Sequence, residues 1–358
     1  MFNRLHRLFP HRLRNLRCDR LRQIDIELSN RCNLRCRMCW FHGEKGIGDR
    51  YEGCELTTRE VFGVVDDIGK YTSSIYIGGS EPFIREDFME ILRHMKSKNL
   101  AVSFTTNGTL LDSGKIETLV ALGVDAVYFS IDGNEELHDR VRGRGVFHQV
   151  TQSVRKLSGI KKRRMGVKPL IIVNIAVRSD LIGHVKESMD AIRNATDDGA
   201  DLYRLHHLWY ATPSELSRHQ SAVTEKLSRC AVGAASHVIP GSFVLDPARL
   251  AAEIMDVSRL PKVRSYPDLS YTQIIKYYSK SPTVRKRCIA SFFAAVIKPN
   301  GDVTFCPDEW IDDYILGNIL NDSFHNIWNS EEAHKFRRVL LREKHFPGCQ
   351  RCGWMYSY

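Results

Sequence analysis

No apolar run in this chain of 358 residues approaches the roughly 18–20 residues that cross a bilayer as a helix. The start of the chain lacks the apolar stretch of a secretory signal. Without an export signal, its ten cysteines read as metal ligands in a reducing cytoplasm rather than as disulfides. Outside its first segment the chain also lacks excess charge. The net charge is +10, but residues 1–22 hold Arg4, Arg7, Arg12, Arg14, Arg17, Arg20 and Arg22 against the single acid Asp19. The rest is nearly balanced, so the basic isoelectric point does not argue for nucleic acid as a partner. Leu5, Leu8, Phe9, Leu13, Leu16 and Leu21 interleave with these arginines, and Pro10 interrupts any helix. The expectation is a solvated basic arm packed against the body of the protein. Its composition also suits peripheral contact with an anionic membrane surface.

Residues 29–40 read SNRCNLRCRMCW, which sets Cys32, Cys36 and Cys39 in a C-x3-C-x2-C pattern. Clustered thiolates select zinc, copper(I) or an iron–sulfur cluster. A structural zinc needs four ligands, and His42 is spaced to complete a Cys3His set. A cubic 4Fe–4S cluster on three cysteines would instead keep one iron open. The preceding Ile24-Asp25-Ile26-Glu27-Leu28 alternates apolar and polar residues and reads as a strand running straight into the cysteine loop. A β/α barrel places its chemistry at such strand ends. The chain has room for one barrel-sized domain and a smaller appendage.

The cysteine loop after a first strand resembles the cluster motif of the radical SAM superfamily. In that family the open iron holds the amino and carboxylate groups of S-adenosyl-L-methionine. One electron then yields a 5′-deoxyadenosyl radical, which takes a hydrogen atom from substrate. The family usually has an aromatic residue before the third cysteine; here Met38 stands there and Trp40 follows.

The remaining strand ends extend the resemblance. Thr57-Thr58-Arg59-Glu60 has the form of a capping box and opens a helix to about residue 70. A strand over 74–77 ends in Gly78-Gly79-Ser80-Glu81-Pro82, similar to the family's GGEP motif, which receives the cofactor's amino group. A helix over 86–98 with Phe88, Ile91, Leu92 and Met95 on one face precedes a strand over 101–106 ending at Thr106-Asn107. A helix over 115–122 precedes a strand over 126–131 that ends in Ser130-Ile131-Asp132-Gly133. The resemblance puts Thr106, Asn107, Ser130 and Asp132 near a ribose and a carboxylate, although each is also an ordinary turn residue. Residues 138–147 resemble the HDxxRG stretch of the peptide- and sugar-modifying branch, with Arg142 matching its arginine. That guanidinium suits the cofactor carboxylate; a surface ion pair with Asp139 or Glu136 is the plainer alternative. A helix over 146–158, a solvated basic loop at 161–164 and an apolar strand over 170–177 containing Asn174 follow; the resemblance points Asn174 into the barrel toward the cofactor, and bracing a neighbouring backbone is the plainer alternative. A sixth strand, about 201–208, ends in His206-His207-Leu208-Trp209-Tyr210. The two histidines are substrate-pocket candidates, poorly spaced for a shared metal because neighbours in a strand face opposite ways. Residues 215–280 read as helix and coil. Cys18, Cys54 and Cys230 match no motif and read as buried small residues.

A second cysteine set comprises Cys288, Cys306, Cys349 and Cys352. Pro299-Asn300-Gly301-Asp302 marks a hairpin that brings the first two together. Four cysteines suffice for one fully ligated 4Fe–4S cluster or a structural zinc. The spacing resembles the family's SPASM/twitch domain, and the absence of further cysteines points to its single-cluster form.

The expected architecture is α/β: a partial (β/α)6 barrel with a small C-terminal auxiliary-cluster domain. We divide it into an arm at 1–22, a barrel at 23–225, a helical or coil linker at 226–284 and an iron–sulfur domain at 285–358. The resemblance implies two 4Fe–4S clusters, S-adenosyl-L-methionine, an electron donor such as flavodoxin or ferredoxin, and hydrogen abstraction from a sugar- or cyclitol-like molecule. The auxiliary cluster would take up the substrate's electron. Peptide modification and a zinc-bearing, non-catalytic binding protein are the alternatives. No catalytic base is assigned; Asp308, Glu309, His206 and His207 are candidates by position.

Overall fold

The computed structural model describes residues 16, 20–44, 46–51, 53–238, 246–279, 282, 286–307, 309–311 and 313–356. Most of the basic arm, Cys18 and Asp308 therefore lie outside the described residues. Six strands form the heart of the sheet: β1 Gln23–Glu27, β2 Ser74–Gly78, β3 Ala101–Thr106, β4 Ala126–Ser130, β5 Leu170–Val177 and β6 Leu202–His207. All neighbouring pairs from β1 to β6 are parallel and follow chain order. Helices connect them, as parallel pairing requires.

Local sequence explains the helices. Thr57 caps helix Thr58–Ile68: its hydroxyl accepts from the Glu60 N–H, while Glu60 accepts from the Thr57 N–H at 2.7 Å. That helix buries Val61, Val64, Val65 and Ile68, one stripe at helical spacing. Helix Phe88–Ser97 buries Phe88, Ile91, Leu92 and Met95 in the same way.

The strands are two-faced, which is unusual for a parallel sheet covered by helices. Ile75, Ile77, Val102, Phe104, Val127 and Phe129 pack outward in the core. Tyr76, Thr105, Tyr128 and Asn174, at the alternate positions, line an inner cavity. The period of two therefore carries polar groups into the barrel without breaking the apolar layer beneath the helices.

The sheet is wider than six strands. β7, Val263–Tyr266, pairs parallel with β6. β8, Ala294–Ile297, pairs parallel with β1 and forms a hairpin with β9, Asp302–Thr304. β10, Gly317–Asn318, completes a ten-stranded order β10-β9-β8-β1-β2-β3-β4-β5-β6-β7. The linker expected to be helix and coil thus supplies a strand. At four residues it is too short for alternation to show. The hairpin's Gly301 has φ +88°, as its turn requires.

Two further expectations are corrected. The basic run at 161–164 is not a loop, because helix Val146–Arg163 continues through it and Arg164 caps its end. Cations suit a helix C-terminus, and Lys161 reaches Asp201 at 2.6 Å. Cys54 and Cys230 are exposed rather than buried, because both sit in connections outside the packed elements. Among the described residues no helix is long and apolar enough to cross a membrane.

Candidate functional site

The loop following β1 carries Cys32, Cys36 and Cys39 at the C-terminal end of the strands. Burial pushes all three thiols up, Cys39 to about 11. Several donors oppose that shift. The Leu34 N–H points at Cys32 Sγ at 3.4 Å, Asn107 Nδ2 stands 3.9 Å from the same sulfur, and Arg142 Nη1 stands 3.7 Å from Cys36 Sγ. Backbone N–H groups of His42 and Phe41 serve Cys39. Donors aimed at sulfur favour the thiolate that iron requires. His42, the expected fourth ligand of a zinc, has Nε2 at 2.9 Å from Ser80 Oγ, which in turn donates to Asn30 O at 3.0 Å. Among the described residues no three His, Cys, Asp or Glu are gathered as for a single metal ion.

Behind the loop lies a layer of polar groups engaged with one another. Glu81 is buried. It accepts from Thr106 Oγ1 at 2.8 Å, Asn107 N at 2.7 Å and Phe83 N at 3.3 Å. Burial pushes its carboxyl up to about 7 despite these bonds. Glu81 and Thr106 therefore shape the Asn107 turn and do not line the cavity. Thr106 shares the outward strand face with Val102 and Phe104, so its neighbour Thr105 is the residue that reaches inside.

Arg142 donates from Nε to Asp132 Oδ2, not to the expected surface acids. Glu136 pairs instead with Arg140, and Asp139 accepts from the Phe147 N–H at 2.9 Å. Burial works against the Asp132 carboxylate, but Arg142 and Arg178 outweigh it and hold the pKa below the usual range. The pair fixes a guanidinium against the first cysteine set.

Of the other anticipated residues, Gly78, Gly79 and Asn174 line the cavity, which measures about 660 Å³. Gly79 has φ +85°, and a Cβ there would stand 3.3 Å from Glu27 Cγ and Ser29 O. The glycine thus leaves main chain bare at the cavity wall. Ser130 lies beside Asn174 in register, two residues beyond cavity-lining Tyr128. His206 faces the cavity between Trp209 and Tyr266, with ring centroids at 5.0 and 5.3 Å. His207 faces the other way, held by Tyr278 and Ser265 at 2.9 Å each.

Sequence reasoning did not single out Asp25, Glu27, Tyr76, Tyr128, Arg204 or Lys298. The available signal was a polar residue at every second place of otherwise apolar strands. Burial pushes Asp25 up to about 7. Glu27 accepts from Lys298 Nζ at 3.0 Å, and Lys298 also meets Glu309. All three are almost fully buried. Burial pushes the Glu309 carboxyl up against the pull of Lys298, while Glu27 and Glu309 push the Lys298 ammonium up against its own burial. Glu309 is thereby committed to the ion cluster that joins the barrel wall to the second cysteine region.

Cys288, Cys306, Cys349 and Cys352 line one pocket walled by Phe305, Trp310, Phe336 and Phe346. Four sulfurs in an apolar enclosure suit a fully ligated cluster. Trp354 and Pro307 line both this pocket and the barrel cavity. Trp40, next to Cys39, stacks on Trp209 at 5.7 Å and 11°.

Comparison with known proteins agrees with these two centres. The Radical SAM superfamily model matches residues 26–177, and the SPASM iron–sulfur cluster-binding domain model matches residues 288–353. A tungsten-containing aldehyde ferredoxin oxidoreductase cofactor-modifying protein of Pyrococcus furiosus is 25% identical over 93% of this chain and 87% of its own length. Mycofactocin maturase MftC of Mycobacterium tuberculosis is 25% identical over 91% of this chain and 74% of its own. Among solved structures, Streptococcus suis SuiB bound to S-adenosylmethionine shares the fold with a TM-score of 0.63. It is 13% identical and aligns over 92% of this chain and 70% of its own.

Proposed function

Because the chain belongs to the radical SAM superfamily and carries a SPASM iron–sulfur domain, we propose that it takes a hydrogen atom from a cofactor precursor held in the barrel cavity and oxidises or crosslinks it. One observation carries this reading. The same cavity is bounded by Gly78, Gly79 and Trp40 on the side of the first cysteine set, and by Pro307 and Trp354 on the side of the second. When bound, two 4Fe–4S clusters and S-adenosyl-L-methionine supply single-electron chemistry, namely a carbon-centred radical and an acceptor for the electron left on substrate. The chain's own residues provide the rest. Cys32, Cys36 and Cys39 hold one cluster, and Cys288, Cys306, Cys349 and Cys352 hold the other. The bare backbone at Gly78 and Gly79 receives the cofactor's amino group. Arg142, fixed by Asp132, keeps positive charge beside the thiolates. The stacked Trp40 and Trp209 exclude water from the wall between the centres.

The relatives' names, a cofactor-modifying protein and a maturase, support a precursor over a free sugar. Oxidation of a sugar- or cyclitol-like alcohol is the second reading, favoured by the polar inner wall of Asp25, Asn174 and Arg204. An external electron donor such as flavodoxin or ferredoxin completes the reaction. The test is anaerobic 5′-deoxyadenosine formation with dithionite, in the presence of short peptides or of cyclitols. Stimulation by peptides supports the precursor reading, stimulation by cyclitols alone replaces it with the second, and no 5′-deoxyadenosine under any condition sinks both.

A further inference from the structure

Arg204 occupies the middle of β6 and faces the barrel cavity. Its Nε donates to Asn174 Oδ1 at 2.8 Å across the β5–β6 register. Its guanidinium carbon lies 5.0 Å from the Tyr128 ring and 4.8 Å from the Tyr266 ring. The group is therefore braced on one edge and flanked by two aromatic rings. Among the described residues, no hydrogen bond or ion pair engages its two Nη atoms. The nearby acids are otherwise committed: Glu27 to Lys298, and Asp25 to Gln23 Nε2 at 2.6 Å.

A half-buried cation without a counter-ion is costly unless something supplies the charge. An arginine fork braced at Nε offers parallel N–H groups from Nη, which match the two oxygens of an oxyanion. Tyrosine rings at its faces attract the cation and hold it in position. We propose that Arg204, positioned by Asn174 and flanked by Tyr128 and Tyr266, is a clamp for an oxyanion of the substrate, a carboxylate or a phosphate ester. The substrate is thus an acid, seated deep in the barrel with its charged end at β5–β6. This rests on the reading that the barrel cavity holds the substrate.

The experiment uses the full chain, reconstituted anaerobically, both without and with saturating S-adenosyl-L-methionine. Sodium benzoate, phenyl phosphate and neutral benzamide are titrated by calorimetry into wild type, Arg204→Gln and Arg204→Lys. Iron content and circular dichroism establish that each variant is folded and loaded. The expected result is that one of the two anions binds wild type, about tenfold or more tighter than benzamide. Arg204→Gln removes that preference, and Arg204→Lys keeps part of it, because the charge remains and the fork is lost. Preference for benzoate marks a carboxylate substrate, and preference for phenyl phosphate marks a phosphate ester. Equal binding of benzamide and both anions, or unchanged anion binding in Arg204→Gln, overturns the proposal. So does displacement of the anion by S-adenosyl-L-methionine together with weakened binding of that cofactor to Arg204→Gln, which would make the clamped carboxylate the cofactor's own. Loss of 5′-deoxyadenosine formation by wild type would count against the hydrogen-abstraction reading alone, since the binding result does not depend on turnover.

Discussion

Cys32, Cys36 and Cys39 share one loop, whereas Cys288, Cys306, Cys349 and Cys352 are drawn together across residues 288–352 by a hairpin, two helices and the chain's last turns. The first set is local. Its geometry comes from a short loop after β1, and its surroundings are polar: Asn107, Arg142 and backbone N–H groups. The second set is assembled by packing, and its walls are aromatic. A local, polar-lined site suits a cluster that must keep one iron open to a charged ligand. A dry site closed by four thiolates suits one that exchanges only electrons. The contrast extends to what holds each in place. Arg351, between Cys349 and Cys352, donates to Tyr277 O, Ser279 O and Glu215 Oε2, each at 2.8 Å, and stacks on Tyr210 at 4.2 Å. The second site is thus clasped to helix Pro213–Leu227 and to the segment after β7 by one buried cation.

The largest test of this contrast removes the local set. A Cys32/Cys36/Cys39→Ala variant should lose one cluster and all 5′-deoxyadenosine formation while keeping its fold and the second cluster, read by iron and sulfide content with EPR. Loss of both clusters would mean that the two sites are not independently built. Next, Cys349→Ala should remove the second cluster and also lower the melting temperature. A cluster assembled from distant segments contributes folding energy, and an unchanged melting temperature would argue against assembly by packing.

A smaller effect is expected at the clasp. Breaking a buried pair leaves its partner charge uncompensated, so Glu215→Ala should cost about 3–5 kcal/mol in urea unfolding. First-set iron should stay in place. Beneath these lies a pH effect in the scaffold. His207 is buried, and burial lowers its pKa from 6.5 to about 3. A depressed histidine stabilises the fold above its unfolded pKa, and that contribution fades as pH falls from 6.5 toward 3. His207→Gln should therefore lose less stability than wild type between about pH 7 and about pH 5, measured as the shift in urea midpoint. The smallest change belongs to the exposed Cys54 and Cys230. Serine at either should shift stability by under about 0.5 kcal/mol and leave iron content unchanged.

Much of the architecture was legible in the chain. Strands β3 and β5 match their expected bounds, because apolar residues and clear turn signals delimit them. The capping box at Thr57 and the hairpin glycine at 301 act through neighbours in sequence, so sequence suffices to place them. β7 was not legible, since four residues gain strand structure only from the β6 edge beside them. Within the site, Glu81, Thr106 and Arg142 were singled out from the sequence, but the partners the structure gives them were not. Thr106 turned outward because Thr105 held the inward place in the alternation, and Arg142 found Asp132 because both lie at the same end of the barrel.

By itself, the sequence determined the order of elements, the two cysteine sets and the helix caps, because each depends on residues a few positions apart. Only the tertiary structure decided which polar side chains share the cavity. Asp25, Tyr76, Tyr128, Asn174 and Arg204 come from five different strands, and parallel register alone makes them neighbours. It also decided that the second cysteine set and the barrel would share a wall at Pro307 and Trp354, because β8 pairs with β1 and carries the C-terminal hairpin onto the edge of the sheet.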